Sequence, residues 1–190
     1  MTRIFPSNAI IGAAGENLVL SHLLRLNYVA GLAPYNTKDY DLIILSGDET
    51  VAKSIQVKSA LFADEARTTD LKWILKEKHE NKIDNLIFCF VVMSMKSSLS
   101  QIYLMDSDLV SNVVKMSHQI YLKLPGMQGQ PHNTENTMRI MSSDYLNSVT
   151  NKKNREQLKE YLNPEEIDFL NEHSQGWMDK YLDNWDIIDE

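Results

Sequence analysis

At 190 residues, with 43% hydrophobic and 24% charged side chains, the chain has the length of one core domain with an appendage and an ordinary globular composition. A single cysteine excludes an intramolecular disulfide, and the longest apolar run, around residues 86–95, is about half of what a membrane-spanning helix needs. The formal net charge of −7 argues against a nucleic-acid partner, but residues 152–190 hold 11 of the 26 acidic side chains, so the rest is near neutral and has room for a basic surface.

The opening Met1-Thr-Arg-Ile-Phe-Pro6 lacks the apolar stretch of a secretory signal, and with the lone cysteine this reads as a cytoplasmic protein. Residues 8–26 read as a helix capped by Ser7 or Asn8 and ended by Asn27. At 100° per residue, Ala13, Glu16, Val19, Leu20, Leu23 and Leu24 share one broad stripe, so Glu16 projects from the most apolar face. Strands are expected over Tyr28–Ala33, Tyr40–Leu45 and Val51–Ser59, the last two joined by a turn at Ser46-Gly-Asp-Glu-Thr50.

Residues 70–81, with Lys72, Trp73, Lys76, Lys78 and His79, are expected to form a short, basic, partly helical stretch. Asn85–Ser94 is dense in Ile, Phe and Val and reads as a central buried strand, with Cys89 a small buried side chain within it. Gln101–Met105 is a further strand, and Asp106 or Ser107 caps a helix over 108–116. The prolines, glycines and amides of residues 125–137 predict a loop. Helices are expected over 153–162 and 164–183, the second with Pro164 in its first turn and Glu165, Glu166 and Asp168 near its positive end. Trp177, Tyr181 and Trp185 recur four apart, a helical stripe expected to pack onto the body or a second subunit.

This order predicts an α/β protein with a central mixed β-sheet flanked by helices and a C-terminal helical extension. The expected divisions are a core over 1–124, a loop-rich connection over 125–151 and an acidic helical extension over 152–190.

The chemistry-bearing residues lie between positions 12 and 58. Strand alternation puts Asp41, Ile43 and Leu45 on one face, and Gln56 and Lys58 on one face of the next strand. A hairpin turning about residues 47–50 sets Asp41 within a residue or so of Gln56, and Glu16 could pack over the pair. Burying such groups unpartnered costs on the order of a few kcal/mol each. A divalent cation offsets that cost: Mg²⁺ takes oxygen ligands, typically one or two carboxylates with waters and substrate phosphate. Glu16 and Asp41 supply the carboxylates, and the Val57 carbonyl or the Gln56 amide oxygen a further ligand. Lys58 is then placed to orient or deprotonate water, or to stabilise charge on phosphorus.

Each residue alone has an ordinary reading. Glu16 suits a partly exposed helix position, Asp39 competes with Asp41, and Gln56 with Lys58 suits a solvated strand face. The joint spacing and element order favour the site. Gly12-X-X-Gly15 lacks the Gly-Lys-Ser/Thr ending of a nucleotide loop, and its small residues are expected to let the helix approach the sheet. His22, His79, His118, His132 and His173 show no zinc-ligand spacing, and His79 is expected at the surface. Lys72, Lys76, Lys78 and Lys82 form either a phosphate-contacting edge or a solvated helical face.

Asp41, an apolar strand, a turn and then Gln56-Val57-Lys58 resemble the Asp…(Glu/Gln)-X-Lys signature of the PD-(D/E)XK nucleases. Gly12-Ala-Ala-Gly-Glu16 resembles the Gly-X-X-Gly-Glu opening helix of several branches of that superfamily. The stretch Trp73–Glu80 before Asn85–Val92, followed by Ile102–Val110, is similar to a little-characterised bacterial branch described only as endonuclease-like. The resemblance covers residues 8–116 and implies a restriction-endonuclease-like αβββαβ core that hydrolyses DNA phosphodiester bonds with Mg²⁺ or Mn²⁺. It implies catalytic roles for Lys58, Asp41, Gln56 and Glu16, and a metal held by Glu16, Asp41, Gln56 and the Val57 carbonyl. DNA is the implied partner, with Lys72, Lys76 and Lys78 as candidate contacts, and cutting both strands would call for a homodimer.

Gln56 stands where most of the superfamily has Glu or Asp, and a neutral amide binds a cation more weakly; Tyr40 stands where the signature has Pro. The alternative expectation is a catalytically idle scaffold that serves as a nucleic-acid-binding or protein-interaction subunit. A small-molecule enzyme on a doubly wound sheet finds no cofactor fingerprint in this sequence.

Overall fold

A computed structural model describes residues 4–34, 37, 39–45, 51–63, 71–96, 99–126, 128–150 and 155–189. The chain divides into two compact units that interleave along the sequence. The first comprises Met1–Ala66, Ile83–Ser107 and Tyr181–Glu190, and the second Arg67–Lys82 and Asp108–Lys180.

The first unit opens with helix α1 (Asn8–Arg25). Asn27, at φ 68°, takes the left-handed conformation that asparagine tolerates. Its N–H reaches Leu24 O at 3.1 Å and the Tyr28 N–H reaches Leu23 O at 3.0 Å, a Schellman ending that satisfies the last carbonyls. Five strands follow: β1 (Val29–Leu32), β2 (Leu42–Leu45), β3 (Val51–Phe62), β5 (Leu86–Ser94) and β6 (Gln101–Asp106), with β4 (Lys72–Lys76) falling in the second unit. They form one sheet in the order β1-β2-β3-β5-β6. The β3–β5 pair is parallel and the other pairs are antiparallel, so the sheet is mixed as expected. The turn expected at 46–50 lies outside the described residues.

Strand β5 is buried from Leu86 through Val92, which is why its sequence is continuously apolar rather than alternating. Cys89 sits in this strand at 0% exposure, and burial pushes its thiol far above the ordinary range. Val19 and Leu23 of α1 pack with Ile55, Val57, Cys89 and Leu104 on one face of the sheet. The buried stripe of α1 is Ile11, Gly15, Val19 and Leu23. Ala13 and Leu24 are exposed and Glu16 is half-buried on the flank, so the expected stripe was rotated out of phase. The helix is apolar on several sides, and its close approach to β3 selects the face bearing Gly15. An added Cβ at Gly15 would lie 1.8 Å from Ser59 Oγ, so this small residue does allow the expected approach.

Residues 181–190 belong to the first unit's core. Leu182 bridges Tyr103, Ile187 and Ile188 are buried, and Trp185 stacks on His22. The Lys53 ammonium donates to Ile187 O, and the Tyr28 hydroxyl to Asp189, both at 2.8 Å.

In the second unit, β4 pairs antiparallel with β7 (Met138–Ser142). This corrects the partly helical reading of residues 70–81: within the described residues 71–81, Lys72–Lys76 is strand and only Glu77–Glu80 is helical, as a 3-10 turn. Lys72, Ile74 and Lys76 are exposed and Trp73 and Leu75 buried, a period of two that pairing with a distant strand stabilises. His79 is buried rather than at the surface, its Nδ1 accepting the Lys76 N–H at 3.0 Å.

Helix α2 (Ser107–Lys123) runs beyond the expected end at residue 116, because Val113, Ile120 and Leu124 continue the helical period. Two further helices, α3 (Tyr145–Thr150) and α4 (Arg155–Leu158), precede α5 (Pro164–Glu172). Asn163 and Glu166 cap α5 reciprocally. That helix stops at Glu172 rather than continuing to 183: the chain leaves helical geometry at the cap residue His173, with φ −104° and ψ 33°, and Gly176 at φ 87° turns it further. Trp177, Tyr181 and Trp185 therefore share no helical stripe. Trp177 packs with Tyr145 and His173 in the second unit, and Trp185 belongs to the first.

Candidate active site

Asp41 lies one residue before β2 and is fixed through its backbone. Its N–H donates to Ile55 O at 2.7 Å and its carbonyl accepts from Ala33 N–H at 2.8 Å, which ties it to both neighbouring strands. The β2–β3 register, Leu42 opposite Ile55, sets Asp41 beside Gln56. The Asp41 Oδ2 accepts the Val57 N–H and the Gln56 Nε2, each at 2.7 Å. Gln56 is 6% exposed, and such a site is affordable for an amide because a charged acceptor satisfies it.

Glu16 projects from the flank of α1 and is half-buried. Burial, then the Asp41 charge, raise its pKa above the ordinary carboxylate value, and the Lys58 charge partly offsets them. Two carboxylates and an ammonium therefore feel one another. A cavity of about 450 Å³ is lined by Glu16, Asp41, Lys58 and Ser59, with Val57 and Asn8 at its wall. Gln56 does not line it. Its role in this arrangement is to hold Asp41.

The sequence offers Asn8 only as a helix cap and gives Ser59 no role. Ser59 follows Lys58 directly, and nothing in a strand sequence says that a serine there faces a helix with no side chain at Gly15. Its hydroxyl is buried and has no hydrogen-bond partner among the described residues. Among the described residues no group of three or more His, Cys, Asp or Glu side chains is placed to hold a metal, so a cation here would rest on two carboxylates. The donor set fits an oxygen-seeking cation. Oδ2 of Asp41 is engaged, its Oδ1 accepts no hydrogen bond among the described residues, and Glu16 supplies a second carboxylate at the same cavity.

Lys72, Lys76 and Lys78 lie in the second unit, exposed on β4 and the turn after it. Among the described residues no helix is long and apolar enough to cross a membrane.

No family model matches the sequence, and no curated protein matches it. Among solved structures, a bacterial homing endonuclease (I-Ssp6803I) superposes with a TM-score of 0.40, over 57% of this chain and 71% of that chain, at 14% identity. The fold described here is a mixed α/β fold with a five-stranded mixed sheet.

Proposed function

We propose that the protein is a Mg²⁺-dependent DNA endonuclease of the PD-(D/E)XK type, acting at Glu16, Asp41 and Lys58. One observation carries the reading: two carboxylates and an ammonium converge on one cavity, with Asp41 locked by Gln56 and the Val57 N–H. Glu16 and Asp41 would hold the cation, with the Val57 carbonyl as a further candidate ligand. When bound, a divalent cation polarises the phosphate and lowers the pKa of an attacking water.

Lys58 directs that water toward phosphorus and stabilises the charge that grows on the phosphoryl oxygens. Water adds to phosphorus, the P–O3′ bond breaks and the 3′ oxygen takes up a proton, giving 5′-phosphate and 3′-hydroxyl ends. Gln56 restrains Asp41 so that its free oxygen keeps one orientation. Lys72, Lys76 and Lys78 are the candidate phosphate contacts, and a homodimer would cut both strands.

A second reading is a catalytically idle scaffold, which binds nucleic acid or protein without cutting. It is favoured by the amide at position 56, which leaves two carboxylates at the cavity. The test is cleavage of supercoiled plasmid and of single-stranded and branched DNA with Mg²⁺ or Mn²⁺, by wild type beside Lys58→Ala, together with Mn²⁺ calorimetry. Cutting by wild type alone is expected. No cutting and no Mn²⁺ binding would leave the idle scaffold.

A further inference from the structure

The second unit contains a cavity of about 270 Å³, of whose lining the nuclease reading uses Lys72 alone. Its floor is the face of the β4–β7 ribbon bearing Lys72 and Ile140, and its walls come from α2, α3, Pro125, Gly126, His132 and Asn136. Four rings line it: His118, Tyr121, His132 and Tyr145. Tyr121 stacks on His132 with centroids 3.8 Å apart, and His118 lies 5.8 Å from Tyr121 in a near-parallel plane.

The electrostatics of the lining run against those of the whole chain. The protein carries 26 Asp and Glu, yet none lines this cavity, whereas Lys72 and Arg139 both do. Burial and the Arg139 charge lower the His118 pKa, partly offset by the Glu80 and Glu77 charges, which favours the neutral ring and its π-face. Arg139 pairs with Glu80, which lies outside the lining. A flat ring platform beside apolar side chains and Lys72, with no carboxylate in the lining, matches a ligand that joins a planar heterocycle to an anion.

We propose that this cavity binds a nucleotide, with the base stacked on the Tyr121–His132 rings and the phosphate beside Lys72. Tyr121 is 39% exposed, so a base can reach it without opening the fold. The nucleotide is either free or an unpaired nucleotide of a strand, because the stacking and charge chemistry is the same in both. Binding requires neither a metal nor Lys58, so it stands or falls separately from the nuclease reading.

The full-length chain, in EDTA, is titrated against 2-aminopurine deoxynucleoside monophosphate, a short single strand carrying one 2-aminopurine, and the matched duplex. Saturable quenching of 2-aminopurine fluorescence is expected from the first two probes. Equal affinity for the monophosphate and the strand assigns the free nucleotide, and tighter binding of the strand assigns the polynucleotide. Tyr121→Ala and His132→Ala should each weaken binding about tenfold, as stacking on an aromatic ring implies. Tyr121→Phe keeps the ring and should bind like wild type. Lys72→Ala should weaken binding and reduce its salt slope, by about one where the phosphate lies in a strand. No saturable quenching by any probe, or binding of the duplex alone, would overturn the proposal. So would unchanged affinity in folded Tyr121→Ala or His132→Ala.

Discussion

The Gln56 carboxamide donates to Asp41 Oδ2 at 2.7 Å, on the oxygen that also accepts the Val57 N–H. Position 56 thus steers a neighbouring carboxylate from beneath the cavity. Replacing it by glutamate should change stability in a way that depends on metal. Without metal, Gln56→Glu places two carboxylates in contact, so the melting temperature should fall at neutral pH and recover at low pH. With Mn²⁺ the fall should be smaller, since a cation held by Glu16 and Asp41 offsets the added negative charge beside Asp41. Thermal unfolding with and without Mn²⁺ checks both statements, and an unchanged melting temperature in the metal-free variant would contradict the first.

Glu16 gives a pH-dependent expectation. Burial and Asp41 raise its folded pKa, so the folded state holds that proton more tightly than the unfolded chain. Its contribution to stability is full below the ordinary carboxylate range, around pH 4, and is lost as pH rises through the raised folded value. Glu16→Gln should therefore melt above wild type near neutral pH in EDTA, with the difference vanishing at low pH. Adding Mn²⁺ should raise the melting temperature of wild type and leave the variant where it was.

Gly15 sets the distance between α1 and β3. A methyl group there would meet Ser59 Oγ at 1.8 Å and Ser59 Cβ at 2.9 Å. Gly15→Ala gains about 1 kcal/mol in helix propensity, and overpacking costs about 1–3 kcal/mol. A net loss of stability is expected in chemical denaturation, partly relieved by adding Ser59→Ala, which removes the nearer atom. Additive effects of the two substitutions would show that the contact does not limit the approach.

In the second unit the Arg139 guanidinium is 5% exposed and pairs with Glu80 while also donating to the Asn136 and Met138 carbonyls. Glu80→Ala leaves a buried cation with only neutral acceptors, and should destabilise the protein by about 2–3 kcal/mol. Glu80→Gln keeps an acceptor and should cost less. Urea unfolding of both variants checks the order.

The tail sequence shows where local reading stops. Asn163-Pro164-Glu165-Glu166 announces a helix start, and the capping bonds form as those residue types dictate. The aromatic spacing at Trp177, Tyr181 and Trp185 looks equally periodic, yet the helix ends at Glu172, before all three, and the rings divide between two units. Likewise, Lys72-Trp-Ile-Leu-Lys76 has both a helical composition and a strand alternation. Pairing with β7 more than sixty residues later decides between them.

What the sequence determined by itself was the set of elements with strong local or periodic signals: α1 and its Asn27 ending, the five strands of the mixed sheet, and the adjacency of Asp41 to Gln56 that hairpin pairing implies. These follow from periodicity and chain connectivity, which act over a few residues. Tertiary structure alone decided the rotation of α1, the engagement of Gln56 with Asp41 rather than with the cavity, the burial of His79 and the return of residues 181–190 to the first core. Each depends on contacts between residues far apart in the chain, where the free energy of burying one face or satisfying one polar group outweighs local preference.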